Sequence, residues 1–181
     1  GAYAPEVVYW NGTFYMYTSP AGNGHYVLSS QSPIGPFTAI TGNLGMSIDG
    51  HVFIDDDGKW WFYHAANANI TVRPMSSPTS FGAGTGTGSN MHNRWTEAPF
   101  VIKRFGRYHM TYSGNHIWNR AYRIDWSTSG SPDGQFTPLA DQNPVLIRTE
   151  GPHAGLGHNC IIVGPDLDTH YIVYQAHGNP G

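Results

Sequence analysis

The sequence is organised around one stretch, Arg94-Trp-Thr-Glu-Ala-Pro-Phe-Val-Ile-Lys-Arg-Phe-Gly-Arg-Tyr-His-Met-Thr-Tyr112. Two runs of β-branched and aromatic residues flank Gly106, and this pattern predicts a β-hairpin with a glycine in its turn. Pro99 cannot donate a backbone hydrogen bond, so we expect it at the beginning of the first strand and not in its middle. Glu97 comes just before that strand. A carboxylate at the point where a sheet begins is well placed for acid–base chemistry.

The hairpin pattern occurs four times along the chain. The other three hairpins span Val7–Tyr17, Val52–Tyr63 and Cys160–Tyr174. The turn glycines Gly12, Gly58 and Gly106 are 46 and 48 residues apart, and each of these first three hairpins is followed by another strand and a proline-containing turn. Repeats of roughly 40–50 residues with several strands each are typical of β-propeller blades. A β-sandwich whose hairpins look alike is the alternative.

The repeats predict one all-β domain over residues 1–181, an incomplete propeller of about three and a half blades. We place the blade-like repeats at about 4–44, 45–93, 94–148 and 149–181. The composition agrees with short strands and many turns, because charged residues make up only 12% and aromatic residues 14%, with 23 Gly and 13 Pro. Both ends of the chain are abrupt, so we expect a fragment.

Charge and hydropathy limit the partners. A net charge of −3 and a pI near 6.4 argue against nucleic acid or an anionic membrane as the partner. No run approaches the ~18 apolar residues of a membrane helix, and no signal-peptide pattern opens the chain. Cys160 is the only cysteine, so no intrachain disulfide can form. The oligomeric state and the compartment, secreted or cytoplasmic, stay open.

The residues before each hairpin are the candidates for chemistry. In a propeller the first strand of each blade starts near the axis, so these residues should converge there. They are three acids and a histidine, at what we take to be equivalent places in the four repeats: Glu6, Asp49, Glu97 and His158. The alternative is that Glu6 and Glu97 are solvated loop acids.

Two converging carboxyl groups suit the hydrolysis of a glycosidic bond. This reaction needs a carboxylic acid to protonate the leaving oxygen and a carboxylate to activate water or to attack the sugar. A neighbouring carboxylate helps the acid to keep its proton near neutral pH, because ionising both groups would place like charges together. Glu97 suits the role of the proton donor, and Asp49 suits the role of the neighbouring carboxylate that tunes the pKa of this donor. Tyr3, Trp95 and Trp118 could offer apolar faces to a sugar.

Four segments carry a specific resemblance to a known family. They are Ala4-Pro-Glu-Val-Val-Tyr9, Ile48-Asp49 with Val52-Phe-Ile-Asp-Asp-Asp-Gly-Lys59, Thr96-Glu-Ala-Pro-Phe-Val-Ile-Lys103, and Gly157-His-Asn159. In this order and spacing the sequence resembles glycoside hydrolase family 43 over essentially the whole chain. That resemblance implies a five-bladed propeller that hydrolyses arabinan, xylan and related plant polysaccharides with inversion, as α-L-arabinofuranosidases or β-xylosidases do.

The resemblance also implies roles for individual residues. Glu97 would be the general acid, and Asp49 would modulate its pKa and orient it. Glu6 would lie beside the sugar pocket. We assign substrate binding to five residues in all: Tyr3, Glu6, His51, Trp95 and Trp118. His158 would lie at the propeller axis and hold a calcium ion or a water there; no other cofactor is expected.

Two departures from the family pattern bear on activity. The general base of the family is an Asp before the Ala4-Pro5-Glu6 segment, and no residue of this chain precedes that segment far enough to match it. An Arg that often lines the pocket would fall beyond Gly181. Glu6 is the only axis-facing substitute for the base, and a poor one. We therefore expect the isolated chain to be poorly active or inactive, and a non-catalytic carbohydrate-binding propeller is the alternative function.

The remaining signals are weaker. His153 and His158 could form a metal pair, with His25, His51, His64 and His116 as further ligands, although loop histidines are more often hydrogen-bonded or exposed. Asp55-Asp-Asp-Gly58 resembles the start of a calcium loop but lacks the later Glu, and we interpret it as a hairpin turn. We interpret Gly82–Gly88 as a flexible loop between blades. No nucleophilic serine motif is present, and Cys160 lies within an apolar strand.

Overall fold

The computed structural model of the chain describes residues 1–92, 94–145 and 153–178, with the backbone alone described for 153, 154 and 178. The strands of the first sheet (blade 1) are β1 (Glu6–Trp10), β2 (Thr13–Thr18), β3 (Tyr26–Ser30) and β4 (Thr38–Ala39). Those of blade 2 are β5 (His51–Ile54), β6 (Trp60–Ala66), β7 (Asn69–Ser77) and β8 (Ser80–Phe81), with β9 (Thr85–Gly86) also paired to β7. Those of blade 3 are β10 (Thr96–Arg104), β11 (Arg107–Gly114), β12 (Arg123–Ser129) and β13 (Thr137–Pro138). The half-blade consists of β14 (His153–Val163) and β15 (His170–Gly178).

Each sheet is an antiparallel meander in chain order. Two 3₁₀ turns, Pro20–Gly22 and Ala140–Gln142, are the only helical elements in the described ranges. This is the predicted all-β architecture of three propeller blades and a half. Across the residues that the structure describes, no helix has the length and apolar character to cross a membrane.

The hairpin turns follow the local sequence. Asn11 and Gly12 both have positive φ, 46° and 79°, and so do Phe105 and Gly106, 50° and 72°. Two consecutive positive φ values are the mark of the type I′ turn, which matches the twist of the strands that it joins. Phe105 adopts this conformation at some cost, because only glycine, asparagine and aspartate do so readily.

The Asp55–Gly58 segment is a hairpin turn, as predicted. The Asp55 N–H donates to the Lys59 carbonyl at 2.9 Å, and the Gly58 N–H donates to the Asp55 carbonyl at 2.9 Å. The Asp55 carboxylate accepts from Lys103 Nζ at 2.7 Å and from the Tyr108 hydroxyl at 2.5 Å, both from blade 3. This acidic turn therefore joins two blades, and its Asp55 carboxylate is fully engaged by donors of the protein.

Two local expectations were wrong. Pro99 lies inside β10 and not at its beginning, because the pairing with β11 skips from Glu97 to Phe100. Such a bulge leaves Pro99 without a ladder bond to lose. The Gly82–Gly88 segment contains a strand, β9, and is not simply a flexible loop. A Cβ on Gly86 would lie 2.6 Å from Asn69 Nδ2, so glycine permits this close approach to β7.

The hydrophobic core lies between neighbouring blades. One cluster joins blades 1 and 2 around Tyr17 and Phe62, and a second joins blades 2 and 3 around Tyr63 and Met110. A buried tyrosine also bonds across each boundary: the Tyr17 hydroxyl donates to the Pro78 carbonyl at 2.9 Å, and the Tyr63 hydroxyl donates to the Pro132 carbonyl at 2.5 Å. These contacts fix the positions of neighbouring blades relative to each other.

His25 is buried in the first of these clusters. Its Nδ1 donates to the Met46 carbonyl at 3.1 Å, while its Nε2 has no hydrogen-bond partner among the described residues. Its ring packs edge-on against Phe62, 5.0 Å between centroids, and lies 6.3 Å from the His64 ring. Burial lowers the pKa of His25 to about 4, and burial also lowers the pKa of His64. Both rings are therefore neutral core residues near pH 7.

We expect His25 to destabilise the fold in acid. Its pKa is about 4 in the folded state and about 6.5 when unfolded, so the unfolded chain binds the extra proton first as pH falls. Above about pH 6.5 the titration of His25 should leave the free energy of unfolding unchanged. Between about pH 6.5 and pH 4 it should lower the free energy of unfolding by about 3 kcal/mol. Chemical denaturation of the complete gene product and its His25→Gln variant from pH 7.5 to 4 measures this. The free energy of unfolding of the parent minus that of the variant should fall by that amount between pH 7.5 and pH 4. A difference that does not depend on pH would contradict the prediction.

Candidate active site

A backbone kink recurs where the first strand of each blade begins its regular pairing. Ala4, Asp49, Ala98 and His158 have φ values of 46°, 58°, 49° and 48°. Each lies two residues before the position at which the pairing starts or resumes. Non-glycine residues pay on the order of 1 kcal/mol for this conformation, and such residues cluster at functional sites. These four positions therefore correspond to one another in the four repeats.

The four predicted chemical residues are therefore not equivalent, and this part of the prediction was wrong. Asp49 and His158 lie at the kink itself. Glu97 lies one residue before the kink of its blade, and Glu6 lies two residues after the kink at Ala4. Because strand residues alternate between faces, such offsets direct side chains to different places. Glu6 and Glu97 consequently line two different cavities.

The main cavity contains both carboxylates of interest. It has a volume of about 520 Å³, and the residues that line it include Tyr3, Asp49, Trp95, Glu97 and His158. Volumes of this size are usual for small-molecule sites. Trp118 is not part of the lining, although its neighbours His116 and Ile117 are. Trp118 is 67% exposed as a residue, and its ring packs on His177 with 4.7 Å between the ring centroids.

A second cavity of about 370 Å³ adjoins the first and shares Asp49 and His158 with it. Glu6 and His51 line this second cavity, and Glu6 Oε1 accepts from His51 Nδ1 at 2.9 Å. His51 Nε2 in turn lies 3.3 Å from the Val101 carbonyl of blade 3. The structure thus brings Glu6 and His51 to each other and links three blades through them, and it separates them from the cavity of Glu97.

Glu97 is held at both carboxylate oxygens. The Tyr122 hydroxyl donates to Oε1 at 2.5 Å, and the indole N–H of Trp95 donates to Oε2. The Glu97 side chain is 8% exposed, and the bulge after it directs it into the cavity. Tyr122 lies just before β12, and no motif or repeat position in the sequence marks it as part of the site. Trp95 therefore binds the carboxylate besides lining the cavity.

Asp49 is tied to the same bulge. It is 5% exposed, and its Oδ2 accepts the Ala98 N–H at 3.1 Å, one residue after Glu97. His158 Nδ1 lies 3.6 Å from the same oxygen. Burial raises the pKa of Asp49 to about 6; the His158 ring opposes this rise, and the Glu97 charge adds to it. Through the Ala98 N–H, Asp49 touches the backbone that carries Glu97.

Metal binding has limited support in this geometry. Within the described ranges, no three His, Cys, Asp or Glu side chains come close enough to hold a metal. His25 and His64 belong to the core between blades, and the side chain of His153 lies outside the described residues. Calcium takes six to eight oxygen ligands. The second cavity offers one buried oxygen without a described partner, Asn159 Oδ1, so these residues alone do not form a calcium cage.

A buried pair of carboxyl groups in a cavity of this size, at the inner edges of propeller blades, is an arrangement that suits a glycosidase. The comparisons agree and go further. The chain matches the glycosyl hydrolases family 43 over residues 1–181, and it belongs to that family.

Characterised relatives are similar to this chain over only part of their length. A β-D-galactofuranosidase of Aspergillus niger is 27% identical over 178 residues, which cover 90% of this chain and 50% of the relative. An arabinoxylan arabinofuranohydrolase of Bacillus subtilis is 30% identical over 155 residues, covering 68% of this chain and 30% of the relative. The chain spans half or less of the length of these curated relatives.

Solved structures give the same picture for the fold. A thermostable family-43 glycoside hydrolase superposes with a TM-score of 0.82 at 30% identity, covering 96% of this chain and 65% of that one. The family-43 BlXynB protein from Bacillus licheniformis gives a TM-score of 0.84 at 24% identity, covering 100% of this chain and 38% of that one. The predicted fold class, an incomplete five-bladed β-propeller, is confirmed.

Proposed function

We propose that this chain carries the general acid, with its pKa modulator, of an inverting glycosidase that acts on arabinan- or xylan-type plant polysaccharide. Glu97 is the general acid, and Asp49 modulates its pKa and orients it. The observation that carries the proposal is the burial of both carboxyl groups in one cavity, joined through the Ala98 N–H. The protonated acid delivers its proton to the glycosidic oxygen as the bond to the sugar breaks.

The general base is proposed to come from outside these 181 residues. An inverting enzyme needs a carboxylate roughly 6.5–9.5 Å from the acid, with a water between. In the described lining of the main cavity, Asp49 and Glu97 are the carboxylates, and both already have roles. Glu6 belongs to the adjoining cavity and pairs with His51. A calcium ion at the axis stays part of the proposal on the resemblance alone, and no step depends on it.

The names of the relatives favour a five-membered sugar ring. The matched proteins from Aspergillus niger, Bacillus subtilis and Humicola insolens are named as a galactofuranosidase, an arabinofuranohydrolase and an arabinofuranosidase. Within the proposal, an α-L-arabinofuranosyl unit is therefore preferred over a xylosyl unit. Tyr3 and Trp95 are the cavity aromatics that would pack against it. Substrate roles for Glu6, His51 and Trp118 have less geometric support, because none of the three lines the main cavity.

The test uses the complete gene product and three 4-nitrophenyl glycosides, the α-L-arabinofuranoside, the β-D-xyloside and the β-D-galactofuranoside. We expect the fastest release of nitrophenol from the arabinofuranoside, and NMR of the initial product should show an inverted anomeric centre. The control is Asp141→Asn, which changes an exposed carboxylate that lines neither cavity and should keep its activity within about threefold.

Two outcomes would contradict the proposal. A product with retained configuration would mean that a carboxylate attacks the sugar directly. No hydrolysis of these glycosides or of arabinan and xylan, with arabino- or xylo-oligosaccharide binding seen by calorimetry, would favour the alternative, a carbohydrate-binding propeller without catalysis.

A further inference from the structure

We propose that Tyr122 is a positioning residue for the general acid: its hydroxyl holds Glu97 Oε1 and stabilises the carboxylate that forms as the proton leaves. This inference rests on the proposed role of Glu97. It adds a residue to the machinery that does not belong to the start of any blade, since Tyr122 comes from the connection between β11 and β12.

The contact between Tyr122 and Glu97 is short and shielded from water. The hydroxyl donates to Oε1 at 2.5 Å, and the tyrosine side chain is fully buried. Burial raises the pKa of Tyr122 far above its usual range, and the Glu97 charge adds to this rise. Tyr122 therefore keeps its proton at every pH at which the enzyme works, and remains a donor.

The Tyr122 ring has no room to move away. A Cβ on Gly157 would lie 2.1 Å from Tyr122 Cε1, so the backbone of the half-blade at Gly157 packs directly against the ring. The Tyr122 N–H also donates to the Asn119 carbonyl at 2.9 Å. The hydroxyl is thus fixed by packing from a different part of the propeller, which is what preorganisation of a catalytic group requires.

Fixed donors decide which lone pairs of Glu97 can carry the proton. The Trp95 indole can only donate, and it occupies one site on Oε2. With Tyr122 donating to Oε1, the acidic proton is left with the sites that these donors do not use. After proton transfer both donors face a full negative charge, and hydrogen bonds to charged groups are the stronger ones. The stabilisation therefore grows as the reaction proceeds, which accelerates the chemical step.

A leaving-group comparison on the complete gene product tests this role. 4-Nitrophenolate leaves readily without a proton, whereas methoxide needs one, so only the methyl glycoside depends strongly on the acid. With the sugar that the enzyme prefers, we expect Tyr122→Phe to lower kcat for the methyl glycoside about 10- to 100-fold. For the nitrophenyl glycoside kcat should fall less than about threefold, with KM nearly unchanged for both.

Matched variants keep the test decisive if one protein folds poorly. Tyr112→Phe removes another buried hydroxyl of blade 3, one without a hydrogen-bond partner among the described residues, and should leave both rates unchanged. Gly157→Ala should reproduce the Tyr122→Phe pattern, because its methyl group displaces the ring. An equal loss on both substrates, or no loss, would overturn the positioning role. If Glu97→Gln discriminates between leaving groups and Tyr122→Phe does not, only this inference fails; if neither discriminates, the acid role of Glu97 fails as well.

Discussion

Glu97→Gln should lower kcat for the preferred polysaccharide on the order of 10³-fold, because glutamine cannot supply the proton that the leaving oxygen needs. A 4-nitrophenyl glycoside should lose far less, since its leaving group departs without protonation. KM should change little, because the substitution removes an interaction made in the transition state. Steady-state kinetics of the complete gene product on both substrates gives the comparison.

The variant should fold, and the site explains why. The Trp95 indole must face an oxygen, so the glutamine amide is expected to turn its oxygen towards Trp95 and its NH₂ towards Tyr122. A tyrosine hydroxyl accepts as well as donates, so it can rotate to receive this bond. A melting temperature within a few degrees of the parent would support this arrangement. Retention of more than a tenth of the activity on polysaccharide would rule out Glu97 as the acid.

Asp49→Asn should lower kcat/KM about 10²-fold. On the proposed roles, the negative charge of Asp49 should help the general acid to keep its proton, since a second negative charge beside it is unfavourable. Loss of this charge should move the alkaline limb of the kcat/KM profile to lower pH. An unshifted alkaline limb would show that Asp49 does not tune the acid.

We also expect Asp49 to hold the bulge in place, and a comparison of Asp49→Ala with Asp49→Asn separates this role from that of the charge. Asparagine can still accept the Ala98 N–H through its amide oxygen, whereas alanine leaves this buried donor unpaired and frees the bulge that carries Glu97. We therefore expect Asp49→Ala to be about tenfold less active than Asp49→Asn and to melt at a lower temperature. Equal activities for the two variants would mean that the charge alone matters.

The sequence alone determined the repeating architecture. Asn11-Gly12 and the Phe105-Gly106 turn are local signals, and strand alternation is local too, so four hairpins and their propeller arrangement could be predicted without long-range information. The positions before the hairpins singled out Glu97 and Asp49 as candidates, the resemblance implied the same roles for them, and both line one cavity. Turn type and strand pattern depend on neighbours in the chain, which is why these predictions needed no tertiary structure.

Only the tertiary structure decided which side chains meet. A kink at a non-glycine residue such as Ala98 leaves no clear mark in sequence, yet it sets the register that sends Glu97 into one cavity and Glu6 into the other. Tyr122 reaches Glu97 from a connecting loop because Gly157 of another sheet makes room for its ring. Local propensity specifies the strands, but contacts between blades depend on packing among residues far apart in the chain, and that packing assembles the cavity around Glu97 and Asp49.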